Sequence, residues 1–148
     1  MSTLTAQRNR ALPADPRPRR HLGARLAGAG LVLAVAALHV VDQGGFPGDK
    51  EPRYVGVGYY ILEAAAVIAV IMLMAGPLRR ISFAWLLALG VALGPLAGYV
   101  LSRGPGLPAY TDDRKNWTEP IGLASLALEG FLLVLALTVM VRTRRATR

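Results

Sequence analysis

The sequence predicts an all-α integral membrane protein: a four-helix bundle in the cell membrane with both termini in the cytoplasm. Three observations carry that reading. Four apolar stretches, residues 24–41, 54–78, 81–101 and 121–141, are each close to the roughly 20 residues a helix needs to cross a ~30 Å hydrocarbon core. The 148 residues are 53% hydrophobic, and several apolar runs of roughly 20 residues are more than one soluble core of this size could bury. The charges are also sorted by segment. Arg8, Arg10, Arg17, Arg19, Arg20 and Arg25 lie at the first stretch, Arg79 and Arg80 between the second and third, and Arg142, Arg144, Arg145 and Arg148 after the fourth. In a four-span chain these share one side with a single acid, Asp15, which is the positive-inside pattern. The other two loops mix Asp42, Asp49, Glu51, Asp112, Asp113 and Glu119 with Lys50, Arg53, Arg103, Arg114 and Lys115.

Taken in order, residues 1–21 are rich in Arg and Pro without an apolar period, so a disordered basic tail is expected, attracted to anionic lipid. The membrane domain then covers residues 22–142. Span one contains Ala34-Val35-Ala36, a small-residue pattern like a signal-peptidase site, but apolar rather than polar residues follow it, so the span is expected to stay. A loop with Gly44-Gly45 and Pro47-Gly48 ends in Glu51-Pro52 and leads into span two. Arg79 and Arg80 fill a tight turn. Span three carries Gly90, Gly94 and Gly98 every four residues, a smooth stripe suited to close helix packing, and Pro95, which removes one backbone bond. In the second long loop, Tyr110 and Trp117 read as interfacial anchors. Span four precedes a basic tail over residues 143–148. Glu51-Pro52 before Glu63, and Glu119-Pro120 before Glu129, suggest two repeated helical hairpins.

Glu63 and Glu129 are the residues a membrane span should not contain. Each lies about ten residues into its stretch, ~15 Å deep at ~1.5 Å per residue, and an ionisable group at that depth is a functional-site hypothesis by default. Tyr59 and Tyr60 precede Glu63 by four and three residues, and Ser125 precedes Glu129 by four, so each glutamate has hydrogen-bonding company on its own helical face. If the two share a depth and a cavity, a proton or cation site follows, because burial and a like charge both favour a held proton. The competing reading is structural: a glutamate that bonds a backbone carbonyl and fixes helix register. At the outer end, His39 and Asp42 can face the same way, and with Tyr99 they outline a vestibule. A relay of Asp42, His39, Tyr60 and Glu63 would carry a proton inward. His39, Asp42 and one loop acid could also hold a metal, but one His and one Asp do not specify one.

Much is excluded. With no cysteine, disulfides, thiolate chemistry and iron–sulfur clusters are ruled out. No nucleophile elbow, paired-histidine metalloprotease motif or phosphate loop is present, and nothing identifies a cofactor. The basic groups lack interleaved aromatics, which argues against nucleic acid.

The order of features resembles the DoxX-like family of small four-helix membrane proteins. The residues that carry the resemblance are Arg25 opening span one, His39-Val40-Val41-Asp42 closing it, Glu63 in span two, Gly76-Pro77-Leu78-Arg79-Arg80, Asn116-Trp117, and a glutamate at span four. Glu119 fits the family position of that last glutamate better than Glu129 does. The resemblance implies a four-helix bundle, often an accessory to redox or quinone-linked complexes. Three functions are therefore carried forward. The leading one is a non-enzymatic accessory or assembly subunit with a polar intramembrane carboxylate site. The others are a proton- or cation-linked transporter protomer, dimerised along Gly90–Gly98, and a quinone-linked oxidoreductase subunit using His39, Tyr59 or Tyr60. Expected partners are the lipid bilayer and a second copy or larger membrane complex.

Overall fold

A computed structural model describes residues 17–76 and 81–146, with side chains from Leu22 onward. The tail over residues 1–16, the turn carrying Arg79 and Arg80, and Arg148 lie outside the described residues. The helices are α1 (Arg17–Asp42), α2 (Arg53–Ala75), α3 (Ile81–Arg103) and α4 (Pro120–Ala146). Each is long and apolar enough to cross a membrane. Large apolar side chains stand more than half exposed on every helix, among them Leu22, Ile61, Phe83 and Phe131. A soluble monomer rarely carries such a coat, and it suits the lipid-facing surface of a multi-pass membrane protein.

The helix ends depart from the expected limits for local reasons. α1 begins at Arg17, inside the expected tail, with Pro18 in its first turn where the missing N–H costs nothing. α2 stops at Ala75, short of residue 78, because Gly76 precedes Pro77 and takes an extended conformation (φ −69°, ψ 141°). α4 runs on through residues 142–146, so most of the expected C-terminal tail is helical. Its basic last turn, with Arg144 and Arg145, complements the helix dipole.

The helices form a ring in the order α1, α2, α3, α4, with adjacent members in contact and the α1–α3 diagonal touching less. The core is built from Val32 and Val35 on α1, Ala66, Ala69 and Leu73 on α2, Ala84, Trp85, Ala88, Val91 and Ala92 on α3, and Leu132 and Ala136 on α4. Small residues let the backbones approach, and Trp85 fills the space they leave. Val32 and Val35 are fully buried, so span one is a wall of the bundle.

The close glycine contacts are not where the stripe suggested. A Cβ on Gly28 would meet the Trp85 ring at 2.5 Å, and one on Gly122 would meet Tyr99 at 2.7 Å, whereas one on Gly90, Gly94 or Gly98 would meet nothing within 4 Å. The stripe therefore packs no helix inside the bundle. The opposite face of α3, with Ala84, Ala88 and Ala92, makes those contacts. Nor do the two returning helices open alike. Glu119 caps α4 with Pro120 as its first residue, whereas α2 follows Pro52 with no side-chain cap, so the hairpins are not local copies.

Arg25 closes the opposite end. Its guanidinium donates to the carbonyls of Leu73, Met74 (3.1 Å) and Gly76 (3.4 Å), satisfying α2's last turn. Arg25→Met should cost about 1–2 kcal/mol and speed amide exchange in the last turn of α2 by at least about fivefold, with the middle of α2 unchanged. Uniform exchange along α2 would show that the contact caps nothing.

A polar cavity at the loop end

α1 ends at Asp42, and Gly44 and Gly45, at φ 89° and 114°, turn the chain back on itself. The returning loop lays Lys50 on Asp42, with Nζ 2.9 Å from Oδ2. Tyr59 of α2 donates its hydroxyl to the same oxygen. Lys50 Nζ also sits 5.7 Å from the Tyr59 ring centre and 6.0 Å from that of Tyr110, within cation–π range. His39, one turn before Asp42, places its ring 5.1 Å from Tyr59 and its Nδ1 2.9 Å from the Val35 carbonyl oxygen.

The facing wall is organised by Arg103, the last residue of α3 and only 7% exposed. Its guanidinium stacks 4.0 Å above the Tyr99 ring centre. It donates to Asn116 O (3.0 Å), Ser102 Oγ (3.1 Å), Asp113 Oδ2 (3.3 Å) and Glu119 Oε2 (3.2 Å), so the second loop is folded around one buried cation. Glu119 then accepts the amides of Ile121 (3.0 Å) and Gly122 (2.6 Å), which places a carboxylate at the positive end of α4. Tyr99 donates to Trp117 O (2.7 Å), and Tyr110 donates to Asp113 (2.8 Å). Burial, then its bond to the Asp113 carboxylate, pushes the Tyr110 phenol well above its usual pKa, so it remains a donor at any physiological pH.

Between the walls lies a cavity of about 120 Å³. His39, Asp42 and Tyr59 line one side, and Tyr99, Arg103, Tyr110, Asp113 and Glu119 the other, with Ser125 and Glu129 furthest from the loops along α4. Glu129 is 1% exposed. One carboxylate oxygen accepts the Ser125 hydroxyl, and the other has no hydrogen-bond partner among the described residues. A buried carboxylate oxygen with nothing to bond is costly, and native structures retain one only for a reason. A second, apolar cavity of about 500 Å³ runs between α2 and α3 along Gly58, Ile61, Leu62, Gly90 and Gly94. The two share His39, Val55, Tyr59, Pro95, Gly98 and Leu107 as walls.

The cavity thus gathers His39, Asp42, Tyr59, Tyr99, Ser125 and Glu129, and leaves out Glu63 and Tyr60. Glu63 accepts a bond from Gln43, the residue just past α1, at 2.5 Å, and it lines neither cavity. Its partner is the residue that follows α1, because the first loop folds back against α2. Tyr60 bonds the backbone of Gly48 (2.9 and 3.0 Å). The relay through Tyr60 to Glu63 is therefore not formed, and Tyr59 is the tyrosine at Asp42 and His39. No three metal-ligating side chains converge among the described residues. Lys50, Arg103, Tyr110, Asp113 and Glu119 were missed as site residues. Two signals pointed to them: an arginine at the very end of an apolar span, and an acid directly before the Pro that opens α4. Comparison with known proteins gives no match, whether to a family model, a curated protein or a solved structure.

Proposed function

We propose that this chain is a small non-catalytic membrane protein, an accessory or assembly subunit, whose loop-end cavity binds a hydrogen-bond donor or cation from a ligand or partner. The observation that carries it is the unpartnered carboxylate oxygen of the buried Glu129, lining a cavity in the bundle interior. The charge balance supports the same polarity: Asp42, Asp113, Glu119 and Glu129 outnumber Arg103 and Lys50 there. Binding is favoured over transport because α4 continues from Glu129 through the buried Leu132 and Ala136, in one core with Val32, Leu73 and Trp85, and no buried polar side chain lies in that part of the core among the described residues. The site is a dead end in this conformation. Membership of the DoxX-like family is part of the proposal, supported by the placing of Arg25, Asp42 and Glu119 at helix ends.

Glu129→Gln keeps shape and hydrogen bonding but removes the titratable proton. Stability in nanodiscs should hold, while recovery of a co-purifying partner or ligand falls at least about tenfold, or 1.4 kcal/mol. Full recovery in that variant would leave Glu129 a register-fixing residue and end the proposal. Orientation rests on the segregation of arginines. Reporter fusions after Arg80 and Arg145 should both read as cytoplasmic and one at Asp112 as external, and a reversed pattern would put the cavity on the other face.

A quinone-linked subunit is the second reading, favoured by His39 and Tyr59, which line both the polar cavity and the apolar groove. Redox spectra of the purified protein with and without added quinone decide it. Unchanged spectra and no bound quinone exclude this role.

A further inference from the structure

We propose that the polar cavity and the apolar groove form one bipartite lipid site, which takes a single-chain amphiphile with a cationic amine head through the opening between α2 and α3. The inference rests on the binding reading above and specifies its ligand. Adjacency is the first support. The two cavities share His39, Val55, Tyr59, Pro95, Gly98 and Leu107 as walls, so only these side chains separate them. A ligand that fills both has to pass between these six residues and not through the loops. The second support is the free oxygen of Glu129, which offers an acceptor to a head at the polar end. Four acids stand at that end against two cations, and both cations are already taken, Arg103 by Asp113 and Glu119 and Lys50 by Asp42, which leaves Glu129 as the acid without a cation. An anionic head would meet repulsion in a medium that screens it poorly, while an ammonium would meet attraction.

The tail's place follows from the groove. From Leu87 to Gly98 it follows about three turns of α3, roughly 17 Å, close to half of a ~30 Å hydrocarbon core and so to one leaflet. Its 500 Å³ falls in the range of ligand sites. Gly90 and Gly94 leave open space where side chains would otherwise fill it. The glycine stripe thus receives an acyl chain rather than a helix of the same bundle.

The probe is hexadecylamine carrying a photoactivatable diazirine near its chain end, given to the full-length protein in phosphatidylcholine nanodiscs. Labelling sites are mapped by mass spectrometry, and the matched C16 acid and alcohol run alongside. The amine should label the Leu86–Gly90 segment at least tenfold more than the acid does. Gly94→Leu adds a side chain where nothing lies within 4 Å of the Cβ, so the bundle should fold and melt normally while labelling falls at least tenfold. Glu129→Gln should abolish the preference for amine over alcohol. Equal labelling by all three heads, or labelling centred on the exposed Phe131 face of α4, overturns the proposal. Labelling that Glu129→Gln reduces but Gly94→Leu leaves intact overturns the tail site while sparing the cavity reading. Labelling indifferent to both variants removes both.

Discussion

Arg103→Met should lower the stability of the folded chain by about 3 kcal/mol and release the 104–119 loop. The cause is what the substitution leaves behind. Asp113 and Glu119, each about a quarter exposed, would be left without the buried cation that joins them, and breaking a buried pair from one side costs ~3–5 kcal/mol, the lower end applying where the partners reach solvent. The carbonyl of Asn116 and the face of Tyr99 would lose their partner too. Thermal unfolding in mild detergent measures the loss, and proteolysis within residues 104–119 should accelerate at least tenfold. Adding Asp113→Asn and Glu119→Gln to Arg103→Met should recover most of the stability, because the stranded charges are then gone. A triple variant no better than the single would mean that Arg103 acts through packing on Tyr99 instead.

The second large effect is expected where α1 crosses α3. Gly28→Ala puts a Cβ 2.5 Å from Cη2 and 2.8 Å from Cζ3 of Trp85, a ring only 1% exposed and without room to retreat. Overpacking of this kind costs about 1–3 kcal/mol, and Gly28→Val should cost more than Gly28→Ala. Both atoms belong to the part of the indole that phenylalanine lacks, so Gly28→Ala with Trp85→Phe should be more stable than Gly28→Ala alone. Reversible unfolding of the four proteins of this cycle gives the coupling directly. A Gly28→Ala protein as stable as the parent, with no gain from Trp85→Phe, would show that α1 and α3 can separate at little cost.

Counting residues from the start of each span puts Glu63 and Glu129 at similar depth but says nothing of what each meets. Gly44-Gly45 turns the chain beyond α1, Gln43 bonds Glu63, and of the two glutamates Glu129 lines the polar cavity. Glu129 was legible as an anomaly, but its surroundings were not. Arg103, Asp113 and Glu119 meet only because the second loop doubles back over the end of α3. Tyr59 and Tyr60 are adjacent, and nothing local says that the first turns to Asp42 and the second to Gly48.

By itself the sequence determined the number of helices and five of their eight ends to within two residues, since length, hydropathy and the positions of Pro and Gly act locally. It also determined that Glu129 would need an explanation, because a carboxyl among apolar residues is costly wherever it points. Only the tertiary structure decided which face of each helix turns inward. These helices are apolar on nearly all sides, and in lipid no hydrophobic gradient separates core from surface. Shape therefore makes the choice: Trp85 over Gly28 and Tyr99 over Gly122 draw those faces together, while Gly90 and Gly94 are left facing outward along an open groove.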